Sequence, residues 1–214
     1  MTVESRMTRN PVTIGPDQNV TEASELMKKE KVHRLPVLDK DRNLIGIITE
    51  KDILHATPSP ASSLSIHEMA YLLSKLTVRK LMSKNPVTIS KDVPVEEAAR
   101  FMVDQDLSCL PVIEDGKLIG IVSKSDLFKI LIELFGARNR GVRVTFLVDD
   151  RPGLISNVSK ALSDHGLDII AFGTFMGTDV TNRVCTLKVA TENTAEVLNL
   201  LKPYVKEIQD IRVI

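Results

Sequence analysis

The sequence predicts an α/β (α+β) protein: two copies of a β-α-β-β-α unit packed as a pseudo-symmetric pair, then a β-α-β-β-α-β unit of another kind. Three observations point there. Residues 7–54 return in altered form as residues 82–128. Within each copy the apolar spacing switches between the helical period of 3.6 and the strand period of two. Past residue 141 the repeat stops and a fresh alternation begins.

The first copy reads "MTRNPVTIGPDQNVTEASELMKKEKVHRLPVLDKDRNLIGIITEKDIL" and the second "MSKNPVTISKDVPVEEAARFMVDQDLSCLPVIEDGKLIGIVSKSDLF". The offset is 75 from Asp39 to Glu114 and 74 from Gly46 to Gly120, because "DKDRN" is one residue longer than "EDGK". A polar turn is where such a length change is tolerated. "PVTI" is a short β run. A helix follows with an apolar face of Val20, Ala23 and Met27, or Val95, Ala98 and Met102, and Pro94 suits the first turn of the second. "RLPVLD" and "CLPVIE" are strands, "LIGII" and "LIGIV" their partners, and a last helix starts at Thr49 or Ser123. Neither copy is long enough to bury both faces of its sheet, so each must pack on the other.

"HATPSPASS" is a linker, and Ile66, Met69, Ala70 and Leu73 recur at helical spacing. "DLFKILIELF" reads as a helix and "GARNRG" as a polar joint. In "VRVTFLVDD", Val142, Val144, Phe146 and Val148 share one face. "RPG" turns the chain, and Leu154, Ile155, Val158, Ala161 and Leu162 mark a helix that ends at Gly166. Two strands, "LDIIAFGTFM" and "RVCTLKVA", a helix "TAEVLNLLKPY" and a strand "IQDIRVI" complete a ferredoxin-like order. The expected divisions are 1–60, 61–80 (linker and helix), 81–135, 136–141 (joint) and 142–214.

Composition excludes several classes. Of 214 residues 43% are hydrophobic but only 4% aromatic, so the core is aliphatic. Lys plus Arg and Asp plus Glu both number 28, without the basic excess of a general nucleic-acid or membrane-surface binder. Two cysteines form neither a disulfide framework nor a zinc site, and no apolar run approaches a membrane span. The expectation is a soluble, reducing, cytoplasmic protein. His33, His55, His67 and His165 are scattered, no phosphate-loop motif appears, and no catalytic or metal-binding set is recognisable.

The repeated "GIITEKD" and "GIVSKSD" put a strand end against a helix start. The first backbone N–H groups of a helix lack internal partners and favour an anion. Asp52 and Asp126, three residues on, can accept hydrogen bonds from two ribose hydroxyls. The same Thr49-x-x-Asp52 and Ser123-x-x-Asp126 spacing is equally a capping box that needs no ligand, and duplication repeats either device.

The pattern "hhP…GhhTxxD", h being apolar, occurs as "RLPV…GIITEKD" and "CLPV…GIVSKSD" and resembles a tandem pair of CBS domains, a Bateman module, over about residues 7–130. Residues 141–214 resemble an ACT domain through "VDDRPGLISNVSKAL" and "HGLDI". The combination is similar to the acetoin-utilisation protein B family. The first resemblance implies adenine nucleotide binding (AMP, ADP or ATP, in some members S-adenosyl compounds) in clefts between the copies. Asp52 and Asp126 hold ribose, with Thr49 and Ser123 beside ribose or phosphate. Backbone around Val12–Thr13 and Val87–Thr88 meets adenine. The residues around the repeated Leu-Pro line the clefts: His33, Arg34 and Pro36 in one, Ser108, Cys109 and Pro111 in the other. Lys51 and Lys124 add positive charge. Arg34 offers phosphate a planar fork of donors and Ser108 and Cys109 do not, so the first cleft is expected to take the more charged ligand. The second resemblance implies a small effector such as an amino acid at Asp149, Asp150, Arg151, Pro152, Gly153 and Leu154, with Asp150 on its amino group, or else a turn that holds nothing.

Together these readings imply a non-catalytic regulatory protein without a catalytic cofactor, homodimeric, sensing adenine nucleotide and a small metabolite, in the setting of acetoin utilisation. The alternative is a dimerising scaffold or regulatory subunit that docks a partner enzyme without a ligand. Nucleic acid and membrane are not expected partners.

Overall fold

The copies exchange their first strands. The structure, a computed structural model, describes residues 1–56, Tyr71 and 75–214; the expected helix with Ile66, Met69, Ala70 and Leu73 lies outside the described residues. The chain forms two compact units, Met1–Leu127 and Phe128–Ile214.

The first unit holds two three-stranded sheets. One joins β2 (Arg34–Leu38), β3 (Leu44–Thr49) and β4 (Ser83–Lys84). The other joins β1 (Thr8–Arg9), β6 (Lys117–Ser123) and β5 (Cys109–Glu114). Thus β1, first in sequence, pairs with β6 of the second copy, and β4 pairs with β3 of the first. The cores follow. Val3 and Met7 pack with Ala98, Met102, Leu110, Val112 and Val122, whereas Val78 and Met82 pack with Ala23, Met27, Leu35, Val37 and Ile48. Each crossing passes over a glycine. A Cβ at Gly46 would lie 2.5 Å from Met82 Sδ and 3.0 Å from the Ser83 carbonyl; one at Gly120 would run into Met7 Sδ and stand 3.2 Å from the Thr8 carbonyl. These glycines serve close approach, not backbone freedom.

"PVTI" contributes less than expected. Ile14 and Ile89 each make one isolated parallel bridge, to Val37 and Val112, with Ile14 N–H on the Pro36 carbonyl at 3.0 Å and Ile89 N–H on that of Pro111 at 3.0 Å. The helices α1 (Val20–Glu30) and α4 (Val95–Asp104) bury the expected faces. Asn19 caps α1, its side chain accepting Glu22 N–H at 2.8 Å while its amide donates to Glu22 Oε1 at 2.9 Å. Pro94 sits at the N-cap of α4, one residue before its first turn. Short helices α2 (Glu50–Ala56) and α3 (Val78–Leu81) follow β3 and precede β4, and α5 (Lys124–Leu134) follows β6.

The second unit has the expected β-α-β-β-α-β order. Strands β7 (Val142–Asp149), β8 (Ile169–Met176), β9 (Asn182–Val189) and β10 (Glu207–Val213) form an antiparallel sheet in the order β10-β7-β9-β8. Helices α6 (Leu154–Ser163) and α7 (Thr194–Leu201) supply Val158, Leu162, Val197 and Leu201 to a core shared with Val142, Val144, Phe146, Val148, Cys185, Leu187 and Val189. At the end of α6, Leu167 N–H bonds the Leu162 carbonyl and Gly166 N–H that of Ser163, with Gly166 at φ +71°, a Schellman closure. By the strand period Lys188 faces the other side of the sheet. It is nevertheless only 2% exposed, its Nζ donating to the Gly136 carbonyl at 3.0 Å. Phe135, stacked on Phe175 with centroids 6.1 Å apart, shares this cover.

Candidate nucleotide clefts and a cationic loop cavity

Strand register builds the first site. Arg34 pairs with Thr49 and Pro36 with Ile47; Cys109 pairs with Ser123 and Pro111 with Ile121. Directly paired residues project from one face, opposite to the face bearing Leu35 and Ile48 or Leu110 and Val122, which the helices cover. The two remaining faces meet. Ile47, Cys109 and Ile121 form a small cluster of 9%, 8% and 9% exposure. Arg34, at the position equivalent to Cys109, completes the contact: its Nη1 donates to the Ser108 carbonyl of the other copy at 2.7 Å.

At the end of each strand pair a helix begins. Glu50 N–H bonds the His33 carbonyl at 3.0 Å, and Lys124 N–H that of Ser108 at 3.1 Å. Both aspartates occupy the cap that their spacing allows. Asp52 Oδ2 accepts Thr49 N–H at 2.8 Å and Thr49 Oγ1 at 2.7 Å. Asp126 Oδ2 accepts Ser123 N–H at 3.0 Å and Ser123 Oγ at 2.6 Å. One carboxylate oxygen serves both cap bonds, and a carboxylate has about four acceptor positions over two oxygens. The parallel bridges run Val12–Thr13 and Val87–Thr88 alongside β2 and β5; Val12 and Thr13 are half-buried, and Val87 and Thr88 are exposed.

Thus His33, Arg34, Pro36, Thr49 and Asp52 come together at one strand end, and Ser108, Cys109, Pro111, Ser123, Lys124 and Asp126 at its twin. Lys51 is exposed on the first turn of α2. Charges around the helix starts differ in sign: His33 Nδ1 meets Glu50 at 2.8 Å, whereas Lys124 at the equivalent position lies 3.6 Å from Asp106. Burial pushes the Cys109 thiol above its usual value, against the opposing pull of Arg34 and Ser108. Sequence reasoning missed Ile47, Ile121 and the Ser108 carbonyl; the period of two in "LIGIIT" already put Ile47 on the face away from the helix.

Two further cavities lie in this unit. One of about 260 Å³ is lined by Lys28, Lys31, His33 and Glu50 among others. Another of about 1020 Å³ lies at the turn end of β2 and β3, beside Gln18, Asp39, Lys40 and Arg79, away from Thr49 and Asp52. Its polar groups bond one another, as Arg79 Nη2 does Asp17 at 2.9 Å and Gln18 Nε2 does Glu22 at 3.0 Å.

In the second unit a cavity of about 460 Å³ opens between the loop after β7 and the segment before β10, lined by Asp149, Arg151, Pro152 and Leu154, by Asn157, and by Tyr204 and Lys206. Arg151 Nη2 donates to Asp149 at 2.8 Å and Lys206 pairs with the same carboxylate. Lys206, then Arg151, hold Asp149 below its usual value against partial burial. Asp150, expected on an amino group, accepts Arg183 Nε at 2.7 Å. Gly153 is the N-cap of α6 at φ +94°, where a side chain is disfavoured. Asn157, Tyr204 and Lys206 were not anticipated: the last two lie about fifty residues from the loop and reach it only because β10 pairs with β7.

Among the described residues no group of three or more His, Cys, Asp or Glu is placed to hold a metal, and no helix is long and apolar enough to cross a membrane.

The CBS-domain family model matches residues 3–59 and 78–133. A candidate acetoin utilization protein (AcuB) from Vibrio cholerae is similar in structure, with a TM-score of 0.53 and 26% identity over 64% of this chain and 95% of that one. CBSX2, an Arabidopsis thaliana CBS-pair protein solved in complex with AMP, has a TM-score of 0.51 and 31% identity over 61% of this chain and 96% of its own. The CBS domain pair of protein MJ0100, in complex with 5′-methylthioadenosine and S-adenosyl-L-methionine, has a TM-score of 0.51 and 26% identity over 65% and 98%.

Proposed function

The chain belongs to the CBS-domain family, and on that premise we propose that it is a non-catalytic regulatory protein sensing an adenine nucleotide (AMP, ADP or ATP) in the clefts of its CBS pair. One observation carries the reading: each copy ends a strand pair at a helix start with a hydroxyl-acid pair, and the two ends flank the face on which the copies meet. The similarity to CBS pairs that hold AMP, 5′-methylthioadenosine and S-adenosyl-L-methionine supports an adenosine-type ligand. In this reading Asp52 keeps the cap with Oδ2 and turns its remaining acceptor capacity to ribose, and Asp126 meets ribose at the twin end. Thr49, Ser123 and Arg34 serve phosphate and ribose, and Val12–Thr13 and Val87–Thr88 present backbone to adenine. Lys51 and Lys124 add charge. Ligand favours one packing of the copies, a coupling typically of about 1–3 kcal/mol.

A second element of the proposal is an ACT-type effector site in residues 142–214. The strand order β10-β7-β9-β8 and the cavity beside the Asp149–Leu154 loop support it. The net cationic lining, Arg151 and Lys206 against Asp149, favours a small ligand with a carboxylate. Acetoin utilisation is the setting that the likeness to AcuB suggests, and the proposal takes the chain to be a homodimer, symmetric dimers being the commonest oligomers.

Thermal shift with AMP, ADP, ATP, S-adenosylmethionine and 5′-methylthioadenosine tests the reading against a ligand-free scaffold. A ligand at 100 times its dissociation constant stabilises by about 2.7 kcal/mol. Binding of none of the five favours the scaffold.

A further inference from the structure

Helix α5 is fastened chiefly at its two ends. It opens at the second half-site, where Lys124 N–H bonds the Ser108 carbonyl at 3.1 Å and Asp126 Oδ2 accepts the Ser123 N–H and hydroxyl. The boundary between the two units falls inside it, after Leu127. None of its eleven residues is buried. Leu127 borders the core of the second copy, and Phe128, Leu131, Ile132 and Leu134 are exposed. The far end is closed within the second unit. Ala137 N–H bonds the Ile132 carbonyl and Gly136 N–H that of Glu133, both at 2.9 Å, with Gly136 at φ +54°, a Schellman closure. The Gly136 carbonyl then takes two donors, Asn139 N–H at 3.0 Å and Lys188 Nζ at 3.0 Å. Lys188 is 2% exposed. Burying an ammonium is costly, and a helix C-terminus is a place that favours one. Strand β8 supplies the rest of the seat: Phe135 stacks on Phe175, a Cβ at Gly173 would stand 3.0 Å from the Phe135 ring, and one at Gly136 would run into Ile170.

We propose that α5 is the element through which the nucleotide site acts on the second unit, with Lys188 as its far anchor. The inference rests on the nucleotide reading above and goes beyond it by naming the element regulated and the residue that holds its other end. A helix of this length is marginal in water by itself, and helix formation is cooperative. With none of its residues buried, α5 owes its persistence to its ends, so tightening one end raises the occupancy of the other. Ligand at the Ser123–Asp126 end firms the first turn, and the last turn, about 17 Å along the axis, opens less often from its seat at Gly136. Linkage makes the effect reciprocal: loosening the Lys188 anchor weakens the ligand at the opposite end.

Amide exchange of the full chain, followed residue by residue by NMR with and without saturating AMP or 5′-methylthioadenosine, tests this in the native protein and in Lys188→Met. In the native protein the ligand should slow exchange at Ser123 and Lys124 and also, by about 5-fold or more, at Gly136, Ala137 and Asn139. In Lys188→Met the slowing at Ser123 and Lys124 should remain, the far-end slowing should be lost, and calorimetry should show the ligand bound about 5-fold more weakly. Slowing at Ser123 and Lys124 with none at Gly136, Ala137 and Asn139, or at neither end by a ligand that calorimetry shows to be bound, overturns the inference and leaves the nucleotide reading intact. Far-end slowing that persists undiminished in Lys188→Met refutes Lys188 as the anchor. Failure of the native protein to bind either ligand overturns the nucleotide reading, and the inference with it. Should Lys188→Met not fold, Phe175→Ala decides, because Phe175 is 47% exposed and meets the seat through its stack on Phe135: diminished far-end slowing supports the inference, and undiminished slowing refutes it.

Discussion

Replacing Asp52 by Asn separates cap from ligand contact, because one oxygen of Asp52 carries both cap bonds. The amide oxygen of Asn can take that place with two lone pairs, so the Thr49 N–H and hydroxyl keep their acceptor. What is lost is the negative charge at the helix start, about 0.5 kcal/mol. Asp52→Ala also loses the cap, about 1 kcal/mol more, which lowers the melting temperature by about a further 4 °C. The ligand responds differently. Where Asp52 offers a second acceptor oxygen, Asn offers an NH₂ donor, and a hydrogen bond to a charged acceptor is worth about 1.5–3 kcal/mol. AMP affinity therefore falls about 10- to 100-fold in Asp52→Asn although the apo protein melts close to the native temperature. Melting curves without ligand and calorimetric titration with AMP read the two effects separately. If Asp52→Asn and Asp126→Asn both bind AMP as the native protein does, the acids serve only as caps and their assignment to ribose is wrong. If Asn costs as much stability as Ala, the division of labour between the oxygens is wrong instead.

Three other outcomes are expected. Val3 is fully buried and Met7 is 8% exposed in the core of the second copy, so Met7→Ala costs about 2–5 kcal/mol; hydrogen exchange should quicken first in β5 and β6, and quickening first in β2 and β3 would refute the strand exchange. Asp149 is held below its ordinary value of 3.8 by Lys206 and Arg151. Its contribution is therefore fully present above about pH 4 and is lost as pH falls below 3.8. Asp149→Asn should flatten the acid limb of the stability curve, and an unaltered limb contradicts the pairing. Cys185 is fully buried with its thiol pushed up to about 11, and Cys109 is raised too. Neither should react with a thiol reagent at pH 8 before unfolding, and rapid labelling of the native protein would contradict their burial.

Much of this architecture was legible in the sequence because it is written in local patterns. The period of two in "RLPVL" and "VRVTFLVD" and the helical spacing of Val20, Ala23 and Met27 each report a buried face. The hydroxyl-x-x-Asp spacing reported the caps. What escaped notice is non-local. Strands β1 and β4 have two residues each, too short for any periodicity, and their partners are chosen by tertiary packing over Gly120 and Gly46. The period of two puts Lys188 on the face opposite the core, and nothing local to its strand announces the segment at Gly136 that its Nζ reaches. Arg34 was legible as a cation facing a cleft, but its reach to the Ser108 carbonyl depends on how the copies meet. Asp150 was assigned from its neighbours in sequence, and Arg183, adjacent only through the sheet, holds it.

Nucleotide occupancy is the most direct test of the sensor account. Native mass spectrometry of the full chain, stripped of small molecules and then supplied with AMP, should show at least one AMP retained per chain, with the bound fraction reduced in the Asp52→Asn, Asp126→Asn double variant. No retained nucleotide from AMP, ADP or ATP, or equal retention by the double variant, contradicts it.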